Sequence, residues 1–315
     1  MGKLEKKITD SKVYIAGHKG MVGSAIFRKL NSQGFKKILT KDRLELDLTD
    51  YKAVESFFET DRPDIVIIAA AKVGGIQANI DNPVDFLLDN LSIQNNLIQN
   101  AVNFGAKKII FLSSSCIYPK NCKQPMKESD ILTGELEPTN EGYALAKITG
   151  MKLLEAYSKT KNIECLTLIP CNLYGPNDSF DLSKSHVLSA LVKRFSEAKK
   201  IDSEHITLWG TGVARREFMH VDDLANSLHF FLANPPNLKT INIGPGTDIS
   251  IKELAHLIAS KVGFLGQISW DSTKPDGMLK KCMDVSQMKS FGFNPEISLD
   301  HGIEQMIKIY NNLIN

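Results

Sequence analysis

Tyr143 and Lys147 stand four residues apart in Tyr143-Ala144-Leu145-Ala146-Lys147, a spacing that sets both on one face of a helix. A phenol titrates at about 10 and is a poor acid–base group at neutral pH, whereas an ammonium beside it favours the phenolate. Lys147 also has the length to reach a cofactor ribose. The run Phe111-Leu112-Ser113-Ser114-Ser115-Cys116 adds hydroxyls just beyond an apolar strand, with Ser114 as the candidate and Ser115 as its rival. Ligands of open α/β sheets gather at that carboxyl edge.

A third feature lies near the start. Val13-Tyr14-Ile15-Ala16 is a short apolar run, and Gly17, Gly20 and Gly23 follow at intervals of three, leading into a helical pattern with Ile26 and Leu30 on one face. A strand that turns into a helix in this way aims backbone N–H groups at an anion. Gly17 serves the tight turn, Gly20 the approach of a pyrophosphate, and Gly23 the close packing of helix on strand. The spacing is G-x-x-G-x-x-G rather than G-x-G-x-x-G.

The residues after the second strand read the adenosine ribose of such a dinucleotide. Here they are Thr40-Lys41-Asp42-Arg43-Leu44, and Lys19 sits inside the glycine turn. Lys41, Arg43 and Lys19 together favour the 2′-phosphate of NADP. Asp42 leaves the NAD reading open, and a solvated charged turn is the plain rival. Asp47-Leu48 is placed to hold adenine.

Strands are expected at Val13–Ala16, Lys37–Thr40, Ile65–Ala70, Lys108–Ser113 and Glu164–Pro170, and helices at Val22–Gln33, Ala53–Thr60, Pro83–Phe104 and Tyr143–Thr160. Ile65–Ala70 is continuously apolar, as a parallel strand covered on both faces should be. This alternation predicts an α/β fold, a Rossmann-like doubly wound parallel sheet. The rhythm stops after Tyr174-Gly175-Pro176-Asn177-Asp178. Helices at Ser185–Lys199, Asp222–Ala233, Ile251–Val262 and His301–Leu313 then mix with short strands at Thr207–Trp209, Arg216–His220 and Thr240–Ile243. The division expected is a dinucleotide-binding domain at 10–175, to which 222–245 returns, and a smaller α/β substrate domain at 176–221 and 246–315.

The chain has 315 residues, 43% of them hydrophobic and 23% charged, which suits a globular protein with a large core. A net charge of +2 speaks against a general nucleic-acid or membrane surface. Five cysteines, Cys116, Cys122, Cys165, Cys171 and Cys282, are odd in number and scattered, unlike a disulfide framework or a zinc site, so no metal is expected. The N-terminal Met1-Gly2-Lys3-Leu4-Glu5-Lys6-Lys7 lacks an apolar signal core. A cytoplasmic protein with reduced thiols is expected.

The glycine turn, the serine after a central strand and Tyr143-x-x-x-Lys147 together resemble the extended short-chain dehydrogenase/reductase family. More particular blocks narrow the likeness to its GDP-sugar epimerase–reductases. They are Ala69-Ala70-Ala71-Lys72-Val73-Gly74-Gly75-Ile76, Ser114-Ser115-Cys116-Ile117-Tyr118-Pro119-Lys120, Glu137-Pro138-Thr139-Asn140-Glu141 and Ser185-His186-Val187. Asn172-Leu173-Tyr174-Gly175-Pro176, Arg216-Glu217-Phe218-Met219-His220-Val221-Asp222-Asp223 and Lys274-Pro275-Asp276-Gly277 carry it across the rest of the chain.

The resemblance implies NADPH as cofactor and GDP-4-keto-6-deoxy-D-mannose as substrate, epimerised at C3 and C5 and then reduced at C4. In that scheme Cys116 is the base and His186 the acid, on opposite faces of the sugar. Cys116 would need a modest downward shift to act as a thiolate. Ser114 and Tyr143 hold the C4 oxygen, and Tyr143 supplies the last proton. Met21, Val22, Ala70, Pro170, Asn172, Leu173 and His186 join the glycines, Lys19, Lys41, Arg43, Asp47, Leu48 and Lys147 around the cofactor. Ser115, Asn172, Arg194, Trp209, Arg216, Asp276 and Lys281 fall to the substrate, the cations at the diphosphate and Trp209 against base or sugar. The bland rivals are core packing for Cys116 and Trp209 and an incidental place for His186. A homodimer through Pro83–Phe104 and Tyr143–Thr160 is also implied. Rival functions on the same pattern are a sugar-nucleotide 4-epimerase, a 4,6-dehydratase and a non-catalytic nucleotide sensor.

Overall fold

A computed structural model describes residues 8–182, 185–274 and 276–314. The N-terminal segment Met1 to Lys7 and Pro275 of the Lys274-Pro275-Asp276-Gly277 block lie outside the described residues. The elements run β1 (Lys12–Ala16), α1 (Met21–Ser32), β2 (Lys37–Leu39), α2 (Tyr51–Asp61), β3 (Ile65–Ile68), α3 (Ile76–Asp81), α4 (Pro83–Asn103), β4 (Lys108–Leu112), α5 (Glu141–Thr160), β5 (Glu164–Pro170) and β6 (Asn172–Tyr174). They continue as α6 (Val187–Lys200), β7 (His205–Trp209), β8 (Arg215–Arg216), β9 (Phe218–His220), α7 (Val221–Ala233), β10 (Thr240–Ile243) and β11 (Ile249–Ser250). The last are α8 (Ile251–Val262), β12 (Gln267–Asp271), β13 (Lys280–Lys281), α9 (Ser286–Ser290) and α10 (Leu299–Ile314).

Six parallel strands form the main sheet in the order β2-β1-β3-β4-β5-β10. From β1 the chain moves outward to β2, then returns to place β3 on the other side. The crevice between the ends of β1 and β3 is therefore a topological switch point, where such sheets bind ligands. The period-two alternation of a strand divides the core cleanly. Val13, Ile15, Ile65, Ile67, Ile110, Leu112, Leu166, Leu168, Ile241 and Ile243 face one way, packed with Ile26 and Leu30 of α1 and Leu224, Leu228 and Phe231 of α7. Tyr14, Val66, Ile68, Ile109 and Phe111 face the other, packed with Val54 and Phe58 of α2 and Leu97 and Ile98 of α4.

A third core lies apart from the sheet. Leu188, Leu191, Val192 and Phe195 of α6 meet Leu254 and Ile258 of α8, Ile303 and Met306 of α10, and Ile206 and Leu208 of β7. β12, which the sequence reading left out, pairs in parallel with β7. The segment containing Met283, Val285, Met288 and Phe293 packs instead with the first face of the main sheet, although it falls within the span 246–315. The single strand expected at Arg216–His220 is two. Arg215–Arg216 pairs with β11 and β13, Phe218–His220 pairs with β6, and the buried Glu217 turns inward between them. Asp223, fully buried, accepts the N–H groups of Glu296 (3.2 Å) and Ile297 (2.9 Å) and ties the C-terminal segment to α7.

Among the described residues no helix is long and apolar enough to cross a membrane. All five cysteines are free.

One buried node joins the segment beyond β4 to the edge of the sheet. Asn242 of β10 accepts from the Tyr118 hydroxyl at 2.6 Å and donates to the carbonyls of Met126 (3.1 Å) and Asp284 (3.0 Å). Tyr118→Phe leaves the buried amide oxygen unpaired and should cost about 1–3 kcal/mol, read by urea unfolding. An unchanged unfolding midpoint would show that the node contributes nothing.

Candidate active site

The glycine turn connects β1 to α1. Gly17 has φ +87°, in the left-handed region, and a Cβ there would lie 2.7 Å from the Ala70 nitrogen. A Cβ on Gly23 would fall 2.1 Å from the Gly17 carbonyl oxygen, so helix and turn touch through backbone. At Gly20 a Cβ would meet only ordinary contact, at 3.5 Å. The first turn of α1, where Met21, Val22 and Gly23 stand, has neither a side-chain cap nor an acidic residue. By contrast, Asp50 caps α2 and Ser250 with Glu253 forms a capping box on α8. The N–H groups at the start of α1 are left for an anion.

The adenosine end is charged as the sequence suggested. Asp42 accepts from the N–H groups of Leu44 (2.9 Å) and Glu45 (3.0 Å) and from Lys19 at 2.7 Å. The Lys19 hydrogen bond holds its carboxyl below the usual range. Lys41 reaches Glu45 at 3.5 Å, and Arg43 is exposed. Asp47 accepts from the backbone and hydroxyl of Thr49, and the Leu48 carbonyl from Asn96. These contacts fix the loop from its own residues, from Lys19 and from Asn96 of α4.

The chemistry gathers where β4 ends. Lys147, buried in α5, donates to the Leu112 carbonyl at 2.9 Å and lies over the rings of Phe111 (4.8 Å) and Tyr143 (5.6 Å). One turn after β4, the Ser114 hydroxyl accepts from the Cys116 N–H at 3.4 Å. Cys116 and Ser115 are buried in the short helical turn 115–117. Lys147, Lys281 and Ser114 all act on the Cys116 thiol.

The charges follow from this enclosure. Burial pulls the Lys147 ammonium down to about 8. Burial also lowers Lys281, which feels Cys116, Arg216 and Glu137. The expected downward shift of Cys116 does not occur: burial pushes the thiol up, and the Lys281 charge, Ser114 and Lys147 offset part of it. Tyr143 is likewise raised, by burial first and by Cys116 second. The Lys147 ammonium points at a backbone carbonyl instead of the phenol, so its effect on Tyr143 is small beside desolvation.

The remaining candidates stand on other elements. His186 precedes α6 with its Nδ1 3.6 Å from the buried Asp178 carboxylate, which also accepts from the Ser189 hydroxyl. Asn172, on β6 between Pro170 and Leu173, donates to the Glu217 carbonyl at 2.9 Å. Arg216 donates to the Met278 and Asp276 carbonyls, while the Asp276 carboxylate takes the Thr211 N–H (2.8 Å) and hydroxyl (2.7 Å). Arg194 donates to the Thr207 carbonyl. Trp209, beside it on β7, is 66% exposed with Lys274 over its ring at 5.4 Å, which removes the core-packing rival.

Lys281 aligns with Arg216 in the β13–β8 pairing, and its charge also bears on the Cys116 thiol. Two acids were missed. Asp178 lies 3.6 Å from the His186 ring, and Glu137 carries charge toward Lys281 and Arg216. Both sat inside quoted blocks, with no spacing signal to single them out.

A parallel sheet with an uncapped glycine turn at its switch point and a Tyr–Lys helix beside the next crevice defines a nucleotide-dependent enzyme class. The chain belongs to the NAD dependent epimerase/dehydratase family, whose profile matches residues 13–244. Within that family it is 51% identical over 300 residues to GDP-L-fucose synthase 1 of Arabidopsis thaliana, covering 95% of this chain and 93% of that one. It is 47% identical over 305 residues to GDP-L-fucose synthase of Escherichia coli (strain K12), with 94% and 95% covered. Among solved structures, the NADP-bound GDP-mannoheptose C4 reductase MlghC of Campylobacter jejuni superposes with a TM-score of 0.87 at 36% identity, covering 96% of this chain and 99% of that one.

Gly23→Ala forces a methyl against the Gly17 carbonyl and should shift α1 away from β1. Dinucleotide affinity, read by nicotinamide fluorescence titration, should fall at least about tenfold, and stability by about 1–3 kcal/mol. Full affinity in the variant would mean that the turn tolerates the wider spacing and does not set the anion site.

Proposed function

We propose that the protein converts GDP-4-keto-6-deoxy-D-mannose to GDP-L-fucose, epimerising C3 and C5 and then reducing C4 at the expense of NADPH. The observation that carries this reading is the enclosure of Cys116 with Ser114, Tyr143, Lys147 and Lys281 at the end of β4. A 4-epimerase or 4,6-dehydratase on the same scaffold has no use for a thiol there. The relatives bearing the name GDP-L-fucose synthase support the same substrate.

The C4 ketone acidifies the hydrogens on C3 and C5. In the proposed sequence Cys116, as thiolate, takes a proton from one face, and the electron pair moves onto the C4 oxygen. Tyr143 and Ser114 hydrogen-bond that oxygen and stabilise the enolate. His186, with Asp178 3.6 Å from its ring, delivers a proton to the opposite face, and the exchange is repeated at the second carbon. Burial makes the thiolate a stronger base once formed, while the two nearby ammoniums favour its formation. The nicotinamide, when bound, supplies hydride to C4. Tyr143 protonates the resulting C4 oxygen, and Lys147 lies against the phenol's ring and lends positive charge to the site.

NADP fits the residues present. Gly17 and Gly23 leave no room for side chains against the turn, the first turn of α1 is uncapped, and Lys41 and Arg43, after β2, are the cations proposed to meet a 2′-phosphate. The commitment of Asp42 to Lys19 and its own loop supports NADP over NAD. Arg194, Arg216 and Trp209 are proposed to take the GDP moiety. Ile80, Val84 and Leu88 of α3 and α4 and Leu145 of α5 are exposed, which supports a homodimer across these helices. The five free thiols support a reducing, cytoplasmic setting.

With the GDP-4-keto sugar, one NADPH should be consumed per GDP-L-fucose formed; product without consumption would reject the reductase. Cys116→Ser should slow epimerisation at least about 100-fold yet leave reduction of the unepimerised ketone, resolved by product stereochemistry. Normal L-sugar at the normal rate would remove Cys116 as the base. Arg43→Ala should weaken NADPH at least about tenfold more than NADH, and equal losses would reject the phosphate contact.

A further inference from the structure

Asn177 has no role in the chemistry above, yet it joins two elements that carry it. It lies in the turn after β6 with φ +68°, in the left-handed region that asparagine tolerates better than most residues. Its side-chain amide donates to the Ser24 hydroxyl at 2.9 Å, across 153 positions of sequence. Ser24 follows Gly23 in α1. Its hydroxyl donates to the carbonyl of Met21, the first residue of that helix, at 3.0 Å and also accepts from Arg28 at 3.3 Å. One donor and two acceptor positions are thereby all used. Arg28 in turn pairs with Asp222, at the start of α7, at 2.7 Å.

The next residue holds a different helix. The Asp178 carboxylate, 4% exposed, accepts from the hydroxyl of Ser189, a fully buried residue in the first turn of α6. It also accepts from the Ser179 N–H at 2.9 Å and lies 3.6 Å from the His186 ring. His186 directly precedes α6, and its carbonyl accepts from the Ala190 N–H at 3.0 Å. The Asp178 N–H closes the turn on the Gly175 carbonyl at 3.1 Å.

We propose that Asn177 is a positioning residue: by gripping Ser24 it sets the 175–178 turn so that Asp178 seats the start of α6, and with it His186, at a fixed place relative to the glycine turn. α1 packs on the main sheet and α6 in the third core, so two separate cores carry the parts that must meet at one sugar. The 175–178 turn links them by hydrogen bonds from adjacent residues, one to each helix. A turn that needed only its positive φ would be served by glycine, which adopts it without strain. Asparagine adds the amide that reaches α1. This inference rests on the reading of His186 as the acid.

Asn177→Gly keeps the backbone of the turn and deletes the amide, and Ser24→Ala removes its partner. The readout is exchange of the C3 and C5 hydrogens of the GDP-4-keto sugar with deuterium oxide, followed by NMR with NADP+ bound so that no hydride is transferred. Each single variant should slow exchange about tenfold, and the double variant should be no slower than either. NADPH affinity of Asn177→Gly should stay within about twofold of the wild type, since the N–H groups of the α1 turn are untouched. In a His186→Asn background, Asn177→Gly should slow exchange no further, an outcome that a general loss of structure would not give. The His186 ring signals, identified by their loss in His186→Asn, should shift in both single variants. Ser24→Ala carries the test alone should the glycine variant not fold. Unchanged exchange in a folded single variant, additive losses in the double variant or a further loss in the His186→Asn background would overturn the proposal. If the wild-type protein exchanges neither hydrogen while the ring signals shift as stated, the functional reading falls and the positioning stands.

Discussion

The hydrogen bond from Lys147 to the Leu112 carbonyl fixes the geometry on which the site depends. It ties the middle of α5 to the last residue of β4, two elements that would otherwise meet only through apolar packing. Tyr143 lies one helical turn before Lys147, and Ser114 and Cys116 follow directly after Leu112, so this contact brings phenol, hydroxyl and thiol into one enclosure. The bond gives the carbonyl of the last residue of β4 a side-chain donor from α5.

Enclosure has a cost that runs through every titratable group there. Burial lowers both ammoniums and raises both the thiol and the phenol, so the charged form of each is disfavoured. What makes the cluster workable is opposition of sign: a buried thiolate and a buried ammonium each relieve the other. The segment bearing Lys281 is pinned by backbone bonds on both sides, to Met126 and to Glu217, and packs into the core of the main sheet's first face.

Much of this was legible in the residues. The apolar strands, the glycine turn and the Tyr143–Lys147 interval each follow a local rule, period two, a tight backbone approach and i to i+4, and the fold places them as those rules require. What was not legible depended on pairings distant in sequence. Nothing near Glu217 announces that its carboxylate will meet Gly246 and Met283, and β12 becomes a strand only because β7 lies beside it. That the Asp42 carboxylate would take two amides of its own loop was likewise not visible. The directions of the Cys116 and Tyr143 shifts were misjudged because sequence shows a neighbouring cation but not the depth of burial.

The central claim is that one buried cluster both exchanges the hydrogens of two sugar carbons with solvent and governs reduction of the carbon between them. It is tested most directly by converting the GDP-4-keto sugar in deuterium oxide with unlabelled NADPH and locating the label by NMR. The account predicts one deuterium at C3, one at C5 and none at C4. A product with protium at C3 and C5, or with deuterium at C4, would contradict it.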